Sequence, residues 1–96
     1  MSENSLLTFL DNNNSWQDLA QLLRLTKREW EVVVLLSRGL GTSDIATIIC
    51  VEPKSVDNYR CKIAGKLKLK GRNKLFFYCL YNRDMLEQIY RQLLSI

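Results

Sequence analysis

The stretch from residue 25 to residue 75 contains three short amphipathic helical patterns separated by turn residues. Thr26 and Glu29 have the spacing of a capping box, in which each side chain accepts a hydrogen bond from the other residue's backbone amide. Gly39 follows where a left-handed residue would end that helix. Pro53 then begins another helix, because proline is tolerated in the first turn but not in the interior. These signals predict three short helices joined by tight connections.

The third of these helices, expected to run from about Pro53 to Lys68, has two different faces. With about 100° per residue, Val56, Tyr59, Ile63 and Leu67 cluster on one side, which we predict to be core. The opposite side carries polar and small residues, namely Lys54, Asn58, Cys61 and Gly65, flanked by Asp57 and Lys62. A helix with one packed face and one outward row of this kind has the shape to enter the major groove of DNA.

Positive charge is concentrated in the same part of the chain. Residues 51–74 carry eight Lys/Arg against two Asp/Glu, whereas residues 1–50 carry four against six and residues 75–96 carry two against two. A concentrated basic segment on a small helical protein is typical of polyanion binding, because neutralised phosphates release their counterions. Charge alone would fit a solvated lysine face equally well.

Composition excludes several other functions. The 96 residues and 47% hydrophobic content correspond to one globular domain, and no strand-like alternation interrupts the helical patterns. The chain lacks histidine, and its three cysteines include no C-x-x-C pair, so we expect neither a metal site, a cofactor nor a catalytic triad. There is no signal peptide and no long apolar run for a membrane span. We therefore expect a cytoplasmic, nucleoid-associated protein without enzymatic activity.

The two ends of the chain predict helices as well. Residues 1–24 form an N-terminal extension with a helical pattern from Ser15, in which one face carries Trp16, Leu19, Ala20 and Leu23. This extension could cover the core or make a regulatory contact. From Asn73, a candidate cap, the pattern continues helically to near the end. Its heptad-like apolar seam could form a dimer interface or pack against the N-terminal helix, and comprises Phe76, Cys79, Leu86, Tyr90 and Leu93.

Between Leu25 and Leu75 the sequence resembles the LuxR/GerE-type helix-turn-helix of bacterial transcription regulators. The matching residues are Leu25-Thr26, Arg28-Glu29, Glu31-Val32, Gly39-Leu40, Ile45-Ala46, Lys54-Ser55-Val56, Asn58-Tyr59-Arg60, Ile63, Lys66-Leu67 and Arg72. The match covers about half of the chain with several fixed spacings. Gly41, Glu52 and Asp57 depart from the residues usual in the family, which affects the preferred base sequence more than the fold.

The resemblance implies an all-α, four-helix domain at residues 25–75 whose third helix binds the major groove, with residues 76–96 as a dimerisation or packing helix. It implies double-stranded DNA as the partner, a homodimer on an inverted repeat, and RNA polymerase as a further candidate partner. Carried over by position, the base contacts would be Lys54, Asp57, Asn58 and Cys61. The phosphate contacts would be Arg60, Lys62, Lys66, Lys70 and Arg72. From the apolar pattern of the C-terminal region we expect the dimer interface at Phe76, Cys79, Leu80 and Leu86.

Two questions stay open at the level of sequence. The same fold could serve as a protein-interaction module that binds another regulator or a polymerase subunit, with the acidic Asp57 disfavouring DNA. The 24 residues before the helix-turn-helix are too few for a sensor or receiver domain, so the chain is expected to be either a stand-alone regulator or a fragment of a larger one.

Overall fold

The computed structural model describes residues 16–71 and 73–95, and every regular element in these ranges is an α-helix. The helices are α1 (Trp16–Leu23), α2 (Lys27–Ser37), α3 (Thr42–Ile49), α4 (Pro53–Lys66), α5 (Lys74–Tyr81) and α6 (Arg83–Leu94). The predicted all-α class with a four-helix domain and an N-terminal helical extension is confirmed. Residues 1–15 of the predicted extension, the side chain of Trp16 and Arg72 lie outside the described residues. No helix in those ranges is long and apolar enough to span a membrane.

The predicted signals at both ends of α2 are present. The Thr26 hydroxyl accepts from the Glu29 amide at 3.1 Å, and the Thr26 amide donates to Glu29 Oε1 at 2.8 Å, which completes the capping box. Gly39 has a φ of +85°, a conformation that glycine adopts without strain. The turn that follows leads to α3, whose N-cap residue Gly41 offers no side chain to the first turn. Interactions between residues close together in the chain therefore account for the start of α2 and for the turn that follows it.

A single apolar core joins all six helices. Helix α2 lies at its centre and packs against α3, α4, α5 and α6. The predicted apolar face of α1 is partly wrong, because Leu19 and Leu22 are buried whereas Ala20 and Leu23 are exposed. The fully buried side chains include those of Leu22, Val32, Val33, Leu36, Ile45, Val56, Ile63, Cys79 and Leu86. This shared core fixes the orientation of α4 relative to the rest of the domain.

The C-terminal region is divided into two helices, where the sequence predicted one. Helix α5 ends at Tyr81 and α6 begins at Arg83, with Asn82 between them. The Asn82 side-chain amide donates to the Tyr78 carbonyl at 2.9 Å. Side-chain hydrogen bonds of this kind compete with the backbone hydrogen bonds of a helix. Asn73 precedes α5 in a left-handed conformation, but its side chain makes no capping hydrogen bond.

Candidate nucleic-acid interface

Helix α4 has the two faces that its sequence predicts. Val56 and Ile63 are fully buried, Leu67 is nearly so, and Tyr59 packs against the core while half-buried. The opposite row is exposed along its whole length and comprises Lys54, Asp57, Asn58, Cys61, Lys62 and Gly65. A Cβ atom added to Gly65 would meet no atom within 4 Å, so packing against a neighbouring helix does not require this glycine. The structure thus presents the four predicted base-contacting residues together on one surface.

Exposed lysines surround this row and continue beyond it. Lys54 and Lys62 lie on α4, Lys68 and Lys70 follow its C-terminal end, and all four are exposed. Within residues 16–71 and 73–95, none of them forms an ion pair. Their charges are therefore available to an external anion, and the closely spaced positive groups raise the local concentration of a polyanion. We call the outward row of α4 and these lysines the basic face.

Lys66, predicted to contact phosphate, points away from the basic face into an internal ion pair. Its ammonium group lies 2.7 Å from Glu29 Oε1 and also donates to the Arg24 carbonyl at 3.4 Å. Glu29 is only 3% exposed. The Lys66 charge is thus already compensated within the protein, and the predicted phosphate contact is not supported by the geometry.

The environment of Glu29 favours its charged form. Burial alone would raise the pKa of the Glu29 carboxyl, but hydrogen bonds from Lys66 and from the Thr26 amide and hydroxyl, together with the Lys66 charge, hold it below its ordinary value. The carboxylate therefore joins three segments, namely the start of α2, the end of α4 and the link from α1. This contact fixes the C-terminal end of the candidate recognition helix.

Arg60 is also directed inward in part. Its guanidinium donates to the Thr42 hydroxyl at 3.3 Å, and the Thr42 hydroxyl donates to Asp57 Oδ1 at 3.4 Å. Arg60 is half-buried, so its guanidinium is less available to phosphate than Lys62 or Lys70. Of the five predicted phosphate contacts, Lys62 and Lys70 are exposed, Arg60 and Lys66 are engaged within the protein, and Arg72 lies outside the described residues.

The cysteines occupy two different environments. Cys50 and Cys61 are exposed, whereas Cys79 is completely buried in the core. Burial raises the pKa of the Cys79 thiol to about 12, although the positive charge of Arg60 acts in the opposite direction. Cys61 therefore remains a candidate DNA contact, while Cys79 acts as a small apolar core residue.

The predicted dimer interface is only partly at the surface. Cys79 and Leu86 are fully buried within the protomer, so in this conformation they offer no surface to a partner, and we correct their assignment to core residues. Phe76 and Leu80 are half-buried.

The sequence prediction missed two exposed aromatic residues of α5, Phe77 and Tyr81, which are 47% and 84% exposed. Their rings stack with centroids 6.3 Å apart. They line a groove of about 410 Å³ with Leu69, Lys74 and Tyr78.

Sequence reasoning also missed the two internal polar contacts of α4. Glu29 and Lys66 are 37 residues apart, and Thr42 is 15 residues from Asp57 and 18 from Arg60. No local spacing rule connects residues at such distances, since helical side-chain pairs lie three or four positions apart. The capping box gave Glu29 a local role, and nothing in the sequence signalled the second one.

Comparison with known proteins agrees with this architecture. The family described as "Bacterial regulatory proteins, luxR family" matches residues 23–79, which include α2, α3, α4 and most of α5. The oxygen regulatory protein NreC of Staphylococcus epidermidis is 39% identical over 56 residues, which is 58% of this chain and 26% of that protein. NreC of Staphylococcus aureus is 36% identical over 76 residues, 75% of this chain and 34% of that protein. The chain thus spans about a quarter to a third of these relatives' length. No solved structure matches it.

The family match and the structure support the same conclusion. The matched segment covers more than half of the chain and contains the capping box, the glycine turn and α4 with its exposed polar row. The matching family comprises regulatory proteins and is not a class of enzymes. The chain is a helix-turn-helix protein that belongs to the luxR family of bacterial regulatory proteins.

Proposed function

We propose that the chain is a DNA-binding transcription regulator that inserts α4 into the major groove. The observation that carries the proposal is the basic face. Its row of polar side chains lies on a helix whose opposite side is buried in the core. The exposed lysines around that row form no ion pair among the described residues. Phosphate contacts position such a helix, and the polar row contacts base edges. Lys54, Asp57, Asn58 and Cys61 would face the bases, and Lys62 and Lys70 the phosphates.

The experiment is fluorescence anisotropy of the protein against a labelled pool of random duplexes at several salt concentrations, followed by sequencing of the bound fraction. Steep weakening of binding with salt and convergence on a repeated sequence would support the proposal. A protein-interaction module would instead show no salt-dependent DNA binding at low ionic strength. That outcome would overturn the DNA-binding function of this chain.

Replacing Lys62 with alanine is expected to weaken DNA binding about tenfold for all sequences alike, because an exposed lysine beside the groove contacts phosphate and not bases. The slope of log affinity against log salt should fall by about 0.9. Arg91→Ala is the control, since it removes one exposed charge from α6, a helix that contributes no residue to the basic face. Equal effects of the two variants would contradict a specific role for the basic face.

The proposed regulator binds an inverted repeat as a homodimer through α5. Its exposed aromatic pair, Phe77 and Tyr81, and the adjacent groove form an apolar surface that a second copy would cover. Two identical copies meeting through one self-complementary surface are related by a twofold axis, which the DNA site would mirror. Such a regulator would act on DNA in the cytoplasm, with RNA polymerase as a further partner.

Tyr81→Glu is expected to convert the dimer to a monomer without destabilising the fold, because Tyr81 is almost fully exposed in the protomer and a charge there cannot be buried against a second copy. Sedimentation velocity measures the change, and affinity for the complete site should fall to that for a half-site. Leu94→Glu, which places the same charge on an exposed apolar position of α6, should leave the dimer intact. A Tyr81→Glu protein that remains dimeric would exclude this surface.

A further inference from the structure

Asp57 places a negative charge in the middle of the basic face. It lies in the exposed row of α4, one turn after Lys54 and one turn before Cys61, and it is the only acidic residue in the sequence of this helix. A carboxylate close to DNA is repelled by phosphate. If α4 enters the major groove, this repulsion must be offset by a favourable contact, or the residue weakens binding at every sequence.

The Asp57 carboxylate contacts a second helix. Thr42, the first residue of α3, donates its hydroxyl proton to Asp57 Oδ1 at 3.4 Å. The same hydroxyl oxygen accepts from Arg60 at 3.3 Å, so the single donor of Thr42 is committed to Asp57. Asp57 makes no ion pair among the described residues, although Lys54 lies one turn away. Oδ1 of the Asp57 carboxylate thus accepts a hydrogen bond from α3, and the Asp57 side chain is exposed.

The chemistry of the major groove restricts what an anchored carboxylate can bind there. A carboxylate only accepts hydrogen bonds, and the donors on base edges are the amino groups of cytosine and adenine. On adenine the amino group lies beside the N7 acceptor, which repels a carboxylate and suits the amide of an asparagine such as Asn58. Cytosine presents its N4 amino group without such an acceptor on its own edge, whereas guanine and thymine present acceptors.

We propose that Asp57 is a specificity-determining residue that selects a cytosine in each half-site of the DNA target, and that Thr42 and Arg60 are positioning residues for its carboxylate. The inference rests on the proposed DNA-binding function and names the base preference of that same surface. Asp57 discriminates against the other bases because their hydrogen-bond acceptors would face its negative charge. It also lowers the affinity for DNA of any sequence, because the same charge is repelled by phosphate. The three residues act as one unit that links α3 to α4.

The test is selection from a random duplex pool with the wild-type protein and with Asp57→Asn, carried out at the same salt concentration. The wild-type sites should contain one half-site position at which cytosine is favoured at least about fivefold over each other base. Asp57→Asn should remove that preference while raising affinity for unselected DNA, because the variant loses a charge that repels phosphate. The substitution lies on an exposed helical position, so the variant is expected to fold as the wild type does.

Thr42→Val distinguishes positioning from direct contact. It keeps the shape of the side chain, removes the hydroxyl, and should reduce the cytosine preference while affinity for unselected DNA changes less than twofold. Thr47→Val is the matched control on the same helix, because the Thr47 hydroxyl bonds to the Ser43 carbonyl one turn earlier and not to α4. This control should retain the wild-type preference.

The possible results separate the two proposals. If the wild type converges on a sequence whose base preferences are all retained by Asp57→Asn, the cytosine assignment is wrong and the DNA-binding function stands. If Asp57→Asn removes the preference but Thr42→Val has no effect, Asp57 selects the base without the positioning role of Thr42. If the wild type selects no sequence at all, sequence-specific DNA binding itself fails, and the inference fails with it.

Discussion

Lys66→Met is expected to destabilise the protein by about 3 kcal/mol at neutral pH, the low end of the range for breaking a buried ion pair, because Lys66 is itself partly exposed. The variant leaves the Glu29 carboxylate buried without its cation, although both hydrogen bonds of the capping box remain. Urea denaturation measures the change in unfolding free energy. Because the pair joins α4 to α2, affinity for DNA should fall as well, without the reduction in salt slope that loss of a phosphate contact produces.

Two further variants make this prediction specific. Glu29→Gln/Lys66→Met should be more stable than Lys66→Met alone, since glutamine preserves the capping box and leaves no buried charge. Arg38→Met removes an ion pair of similar length, the 3.0 Å contact with Glu87, but an exposed one, and it should cost less than about 1 kcal/mol. If Lys66→Met is as stable as the wild type and lowers the salt slope by about 0.9, then Lys66 binds phosphate instead.

The same pair predicts how stability depends on pH. The pKa of Glu29 in the folded protein lies below its ordinary value of 4.5, which it regains on unfolding. A carboxyl group of this kind stabilises the fold above the unfolded-state pKa and loses that contribution as pH falls through the folded-state pKa. The wild type should therefore lose stability below about pH 4.5 more steeply than Glu29→Gln. Parallel urea titrations between pH 3 and pH 7 would show this, and identical curves would contradict it.

The parts of the fold that sequence could predict are those specified by residues close together in the chain. Thr26 and Glu29 are three positions apart, Gly39 needs only its own backbone freedom, and Pro53 restricts only its own helix. The apolar face of α4 follows from the helical period because Val56 and Ile63 must both point into the core. These local signals were sufficient for α2, α3 and α4, and so for the exposed row of the basic face.

The parts that sequence could not predict depend on contacts between distant segments. An apolar seam in the C-terminal region fits a core and a dimer interface equally well, since both require the same helical spacing. Only the packing of α5 and α6 against α2 shows that Cys79 and Leu86 are core residues and that Phe77 and Tyr81 are exposed. In the same way, the charge of Lys66 could be assigned to the interior only once Glu29 was found beside it.

Leu86→Ala is expected to destabilise the protein by about 2–5 kcal/mol, because Leu86 is fully buried and its truncation removes apolar contacts and leaves a cavity. This is a large part of the stability of a domain of this size, which is roughly 5–15 kcal/mol. Thermal and urea denaturation measure the loss. Leu86→Met, which nearly conserves the volume, should cost less than about 1.5 kcal/mol and keeps the prediction measurable if the alanine variant does not fold.

The comparison of Leu86 with Leu94 tests whether α6 serves the core or a dimer. Both leucines lie on this helix, but Leu94 is largely exposed, so Leu94→Ala should change stability by less than about 0.5 kcal/mol. If Leu86 is a core residue, Leu86→Met should form the proposed dimer at the same protein concentrations as the wild type. An interface residue would give the opposite pattern, in which Leu86→Ala folds with wild-type stability as a monomer. Tyr81→Glu is expected to give that stably folded monomer. Comparing Tyr81→Glu with Leu86→Ala therefore distinguishes the surface of α5 that would bind a second copy from the core beneath it.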